Sequence, residues 1–182
     1  MRILIISVPR SGSTSLMKIL SDKNKLTPVL EPFSYRNPKE NILSNEYIRN
    51  IVYDDNIVLK TLIGQDDKVE KSINWDYCKN FLINLSKTFN ETILLSRKDT
   101  KAQIESHAYA CYSESSWINS YDWIETPNYD VSKNYIDKSN NLLNEISKEL
   151  KIPITWYEDI FDLNSPDRLR NKKVTSEKKY LH

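Results

Sequence analysis

The chain has 182 residues, of which 39% are hydrophobic and 28% charged, and 26 Lys and Arg against 25 Asp and Glu give a formal net charge of +1. That length suits one domain around a single core, and the composition is that of a globular protein. The near-zero charge excludes nucleic-acid binding driven by bulk cationic attraction, so no nucleic-acid partner is expected and any cationic site must be local.

Two cysteines, Cys78 and Cys111, are too few for a disulfide framework, and no Cys/His cluster has metal-site spacing. Both read as reduced, in a cytoplasmic setting. The apolar run Ile3–Ile6 is shorter than a signal-peptide core and is followed by no small-residue cleavage site. No segment approaches the ~20 apolar residues of a membrane span, so no span is expected.

In chain order, Ile3–Ser7 is a short apolar run that predicts a buried strand. Pro9–Gly12 reads as a turn. Thr14–Leu20 opens a helix with Leu16, Ile19 and Leu20 on one face. Further strands are predicted at Asn56–Leu62, Glu91–Ser96 and Pro153–Tyr157. Between them helical spacing covers Trp75–Phe89, Thr100–Tyr112 and Ser132–Leu150, the last with Ser132 as N-cap. The aromatic stretch Trp117–Asp130 fits neither period and reads as a loop over the site or an irregular segment pinned to the core. From Ser165 a polar tail follows, read as flexible or as a terminal helix. Short apolar strands alternating with helices imply a single three-layer α/β domain with a mostly parallel sheet flanked by helices. Such sheets bind ligands beyond the carboxyl ends of their strands.

The first such end carries Val8-Pro9-Arg10-Ser11-Gly12-Ser13-Thr14-Ser15. Unpaired backbone N–H groups at a helix start, with the positive end of the helix dipole, favour a phosphate. Gly12 permits close backbone approach, Ser13, Thr14 and Ser15 add hydroxyls, and Arg10 adds a cation. Against the phosphate-loop pattern GxxxxGK[ST], Ser7 and Gly12 take the glycine positions and Thr14 the hydroxyl position, while Ser13 stands where the lysine belongs. Without that lysine the loop is poorly equipped for ATP hydrolysis. The predicted domain is therefore P-loop-like but not of the ATPase type.

The string Val8–Leu16 resembles the 5′-phosphosulfate loop of sulfotransferases that use the nucleotide sulfate donor PAPS, especially tyrosylprotein sulfotransferases and related bacterial and viral enzymes. The family loop commonly reads Pro-Arg-Ser-Gly-Thr-Thr, so Ser13 is the departure here. A second string, Leu95-Ser96-Arg97-Lys98-Asp99, puts two cations at a strand end, with Ser106 on the following helix. In the family an Arg and a Ser at such places hold the donor's 3′-phosphate. The interval from Arg97 to Ser106 is one residue longer than in the cytosolic and tyrosylprotein enzymes, whereas Lys98 has the family interval. Arg97 is preferred because its planar fork suits phosphate.

By the same resemblance Glu31 is the catalytic base, and Lys60, in Leu59-Lys60-Thr61-Leu62, stabilises developing charge with Arg10. Cytosolic sulfotransferases place a basic histidine where this chain has Leu62, which excludes that base here. His107 reads as structural or as a surface residue. Tyr157-Glu158-Asp159 resembles a late family segment and reads as architecture. The cytosolic Arg-Lys-Gly element is absent, since no glycine follows Gly64.

The resemblance thus implies sulfuryl transfer from PAPS to a hydroxyl acceptor, releasing PAP without a metal. Arg10, Ser11, Gly12, Ser13, Thr14 and Ser15 would hold the 5′-phosphosulfate, and Arg97 with Ser106 the 3′-phosphate. The acceptor stays open among peptide tyrosine, sugar, lipid and small alcohol. Two rivals stand beside this reading: a P-loop small-molecule kinase, and a non-catalytic module that binds nucleotide phosphates.

Overall fold

The computed structural model describes residues 1–33, 54–64, 73–115 and 128–161, with side chains to 111 in the third stretch. The elements are β1 (Arg2–Ser7), α1 (Ser13–Asn24), β2 (Thr27–Leu30), β3 (Ile57–Leu62), α2 (Trp75–Ser86), β4 (Glu91–Ser96), α3 (Thr100–Ser115), α4 (Tyr129–Leu150), β5 (Ile154–Trp156) and the single turn α5 (Tyr157–Ile160). The strands form one sheet in the order β2-β3-β1-β4-β5. All four pairings among these strands are parallel, with Ile5 of β1 opposite Lys60 on one side and Ile93 on the other.

Alternation along the strands sorts the core into two layers. Ile3 and Ile5 of β1 join Val58, Ile93 and Leu95 against Leu16, Met17 and Leu20 of α1 and against Tyr157, Ile160 and Phe161. On the opposite face Leu4 and Ile6 join Ile57, Leu59 and Leu94 under α2 and α4, through Leu82, Ile83, Leu142, Leu143 and Ile146. The central strands are covered on both faces, which is why they read as unbroken apolar runs. A hydrogen bond from Lys79 to Glu145 Oε2 (3.0 Å) ties α2 to α4 at the surface and holds the Lys79 ammonium above its usual pKa.

Most predicted elements are present, and three differ. β2 is not among the predicted strands. Among the described residues it pairs with β3 alone, and an edge strand tolerates Pro28, which has no N–H to give. Helix α4 starts at Tyr129 with Asn128 as its cap, whose side chain accepts from Val131 N at 3.0 Å. Ser132 is therefore not the cap: it is buried within the helix, 3.0 Å from His107 Nδ1. Asn128, Tyr129 and Asp130 leave the irregular stretch for that cap and first turn, and residues 117–127, like the tail from Ser165, lie outside the described residues. Among the described residues no helix is long and apolar enough to cross a membrane.

Candidate functional site

The loop after β1 leaves the sheet where three neighbouring strands end. Val8 N donates to Leu95 O (3.1 Å) and Ile63 N to Ser7 O (3.0 Å), so its root is fixed by β4 and β3 at once. Gly12 caps α1 with φ 79° and no side-chain hydrogen bond, and its carbonyl accepts from Ser15 N and Leu16 N at 3.0 and 3.1 Å. The N–H groups of Ser13 and Thr14, at the very start of the helix, have no intrahelical acceptor, and no acidic residue occupies this first turn. An anion is the complementary ligand. Within the loop the Ser11 hydroxyl is fully buried and has no hydrogen-bond partner among the described residues. Ser13, in the lysine position, is buried as well and carries no charge to a ligand.

A cation reaches the loop from the neighbouring strand instead. Lys60 is two residues beyond Val58, so strand alternation aims it at the α1 face of the sheet. Its ammonium donates to Thr14 Oγ1 at 2.9 Å and pairs with the Glu31 carboxylate. Glu31 directly follows β2, and its N–H donates to Lys60 O at 2.9 Å, which continues the parallel register of the two strands. Lys60 is only 4% exposed, whereas the Glu31 side chain is 22% exposed. Three residues distant in sequence thus meet at the helix start.

Arg10 and Glu31 both have left-handed backbones, with φ of 63° and 47°. Such conformations cost non-glycine residues about 1–2 kcal/mol each. The other two non-glycine cases, Lys25 and Lys151, close helices, where the left-handed residue is ordinary. At Arg10 and Glu31 it turns the side chains that carry charge at the loop, in keeping with strain held at functional positions.

The second motif divides its two cations. Arg97 lies over the Tyr157 ring, 5.0 Å from its centroid, with Nε 3.7 Å from Glu158 Oε1. Lys98 pairs with Asp159 at the surface. Ser106 accepts a hydrogen bond from Arg10 Nε at 2.9 Å, so its described partner is the loop arginine. His107 lies 3.0 Å from Ser132 and stacks on Tyr135, a structural position between α3 and α4.

Three residues at the site were not foreseen as such. Gln103, fully buried, donates from Nε2 to Pro9 O at 2.8 Å. Glu158 accepts from the backbone N–H groups of Lys98 and Asp99 at 2.9 and 3.2 Å. Tyr157 packs its ring against Gly12 and beneath Arg97. The available signal was position: Tyr157 and Glu158 directly follow the last strand, at the ligand-binding edge of such sheets.

No family model matches this chain, and no curated protein matches it. Among solved structures it is similar to the YorR protein from Bacillus subtilis in complex with phosphorylated GDP, at 12% identity over 86% of this chain and 84% of that one, with a TM-score of 0.46. A likeness at that level carries no function across. The fold itself is plain from the chain: a parallel α/β sheet with a P-loop-like strand–loop–helix unit at its centre.

Proposed function

We propose that the chain binds a nucleotide phosphate on the loop Arg10–Ser15 and transfers a sulfuryl group from PAPS to a hydroxyl acceptor. The observation that carries this reading is the Glu31–Lys60–Thr14 cluster at the start of α1, beside a loop whose lysine position is the buried Ser13. It supplies a partly exposed carboxylate and a cation next to an anion site, the two groups that sulfuryl transfer needs.

In this reading Glu31 takes the acceptor's hydroxyl proton as that oxygen bonds to sulfur. The bond from sulfur to the bridging oxygen of the 5′-phosphate breaks, and its electron pair stays on departing PAP. Arg10, Lys60 and the amides at the start of α1 offset the charge that develops there. Arg97 serves the 3′-phosphate from the next strand, and the Ser106 hydroxyl, which accepts from Arg10, keeps its own proton to donate to that phosphate.

A second reading, a nucleotide kinase, is favoured by Lys60 itself, since it brings an ammonium to the loop that Ser13 does not supply. Thr14 weighs against it. In phosphate-loop kinases that hydroxyl serves magnesium, whereas here it accepts from an ammonium whose charge repels a divalent ion.

The test is transfer from radiolabelled PAPS to a panel of phenols, sugars, lipids and peptides, with wild type and Glu31→Gln. Labelled product from wild type, reduced at least about 100-fold in Glu31→Gln, is the expected result. Phosphoryl transfer from ATP with magnesium, and none of sulfuryl from PAPS, would replace this reading with the kinase. Nucleotide binding without either transfer would leave a binding module.

A further inference from the structure

Helix α3 touches the phosphate loop twice, from side chains one helical turn apart. Gln103 and Ser106 share a face at the i,i+3 spacing. Gln103 Nε2 holds the Pro9 carbonyl at 2.8 Å, and Ser106 Oγ holds Arg10 Nε at 2.9 Å. One contact fixes the backbone just before Arg10 and the other fixes its side chain. Between them Arg10 sits in a left-handed conformation that an arginine does not favour alone, with φ of 63°.

We propose that Gln103 and Ser106 form a clamp that presents the Arg10 guanidinium to an anion on the loop, which makes both positioning residues for that site. The proposal rests on the phosphate-binding reading of the loop and adds roles that neither motif implied. A guanidinium carries its N–H donors in a rigid fork. Binding Nε to Ser106 sets the plane of the fork and leaves the terminal N–H groups for a ligand. The buried Gln103 does the same for the chain: releasing Pro9 O would leave a buried carbonyl without its donor, so the loop keeps its path. The side-chain rotation that Arg10 would otherwise lose on binding is thereby lost during folding, as preorganised sites require.

This differs from a role for Ser106 as a ligand of the 3′-phosphate alone, and the two are separable. PAP carries phosphates at both ends of the ribose, AMP only the 5′-phosphate. A clamp on Arg10 acts on both ligands, and a 3′-phosphate ligand acts on PAP only.

The experiment is calorimetric titration of wild type, Ser106→Ala, Ser106→Thr and Gln103→Met with PAP and with AMP. Melting curves confirm that each variant is folded. It is paired with the exchange rate of the Arg10 side-chain Nε–H measured by NMR, the signal being assigned by its loss in Arg10→Lys. Expected are a loss of about tenfold or more for both ligands in Ser106→Ala, consistent with one hydrogen bond to a charged group, and recovery in Ser106→Thr, which restores the hydroxyl. Gln103→Met should weaken both ligands alike. The Arg10 Nε–H should exchange slowly in wild type and fast in Ser106→Ala. A loss confined to PAP, or no loss, would overturn the clamp. Should wild type bind neither nucleotide, the phosphate-binding reading fails, and the Nε–H rate still decides the clamp: fast exchange in wild type overturns it.

Discussion

Gly12→Ala is the substitution whose effect follows most directly from the geometry. Gly12 has φ 79°, and a Cβ built on its backbone lies 2.5 Å from both Cδ2 and Cε2 of Tyr157 and 3.4 Å from Cε2 of Phe161. The Tyr157 ring has little room to retreat, because it is buried, packs on Phe161 with centroids 4.7 Å apart, and carries Arg97 on it. Two terms add. The left-handed backbone costs alanine about 1–2 kcal/mol, and one methyl forced into a packed core costs about 1–3 kcal/mol. Their sum, roughly 2–5 kcal/mol, lowers Tm by about 4–20 °C in a domain of this size. Thermal unfolding followed by circular dichroism reads this, with urea midpoints as a check on a common slope. The double variant Gly12→Ala/Tyr157→Leu separates the terms. Removing the ring relieves the clash and leaves the backbone cost, so the pair should be less destabilised than the sum of its singles by on the order of 1 kcal/mol or more. A Tm for Gly12→Ala within about 1 °C of wild type would refute both the left-handed backbone at Gly12 and the packing of Tyr157 against it, since either term alone predicts more.

Other outcomes follow from single residues. Ser139→Ala should raise stability by about 1 kcal/mol in urea unfolding, because the Ser139 hydroxyl is fully buried and has no hydrogen-bond partner among the described residues. Lys151→Gly should also stabilise, by about 0.5–1 kcal/mol, since Lys151 closes α4 with φ 58° and glycine takes that conformation without a Cβ penalty. Lys60→Met keeps the length of the side chain and removes its charge. It should lower sulfuryl transfer by roughly 100- to 1,000-fold in the labelled-PAPS assay, the usual scale for one charge-stabilising donor.

Strands β1, β3 and β4 were legible because both faces are covered, which makes each an apolar run bounded by polar residues. β2 was not. It is a short edge strand of Thr27, Pro28, Val29 and Leu30, largely exposed and with no period to read, and its pairing with β3 defines it. The start of α4 was misplaced because Ser132 and Asn128 are both good caps, and the choice is made by burial of Ser132 against His107. In the site, the loop and its lysine substitution stood in one contiguous string. That Lys60 reaches Thr14 follows from strand parity, and that Glu31 lies beside it follows from the β2–β3 register, which no local pattern contains. The loop contacts of Gln103 and Tyr157 were not legible for a related reason. Their partners, Pro9 and Gly12, are distant in sequence, and a backbone carbonyl or a missing Cβ leaves no mark in a motif.

The central claim, a loop built for a 3′,5′-bisphosphorylated nucleotide and not for magnesium–ATP, is tested most directly by calorimetric titration of wild type and Arg97→Ala with PAP, with ATP and magnesium as the comparison. Expected are tight binding of PAP by wild type, a loss of at least about tenfold in Arg97→Ala, as for a charged contact to phosphate, and weak or no binding of ATP with magnesium. Binding of ATP with magnesium in preference to PAP, unchanged in Arg97→Ala, would contradict it.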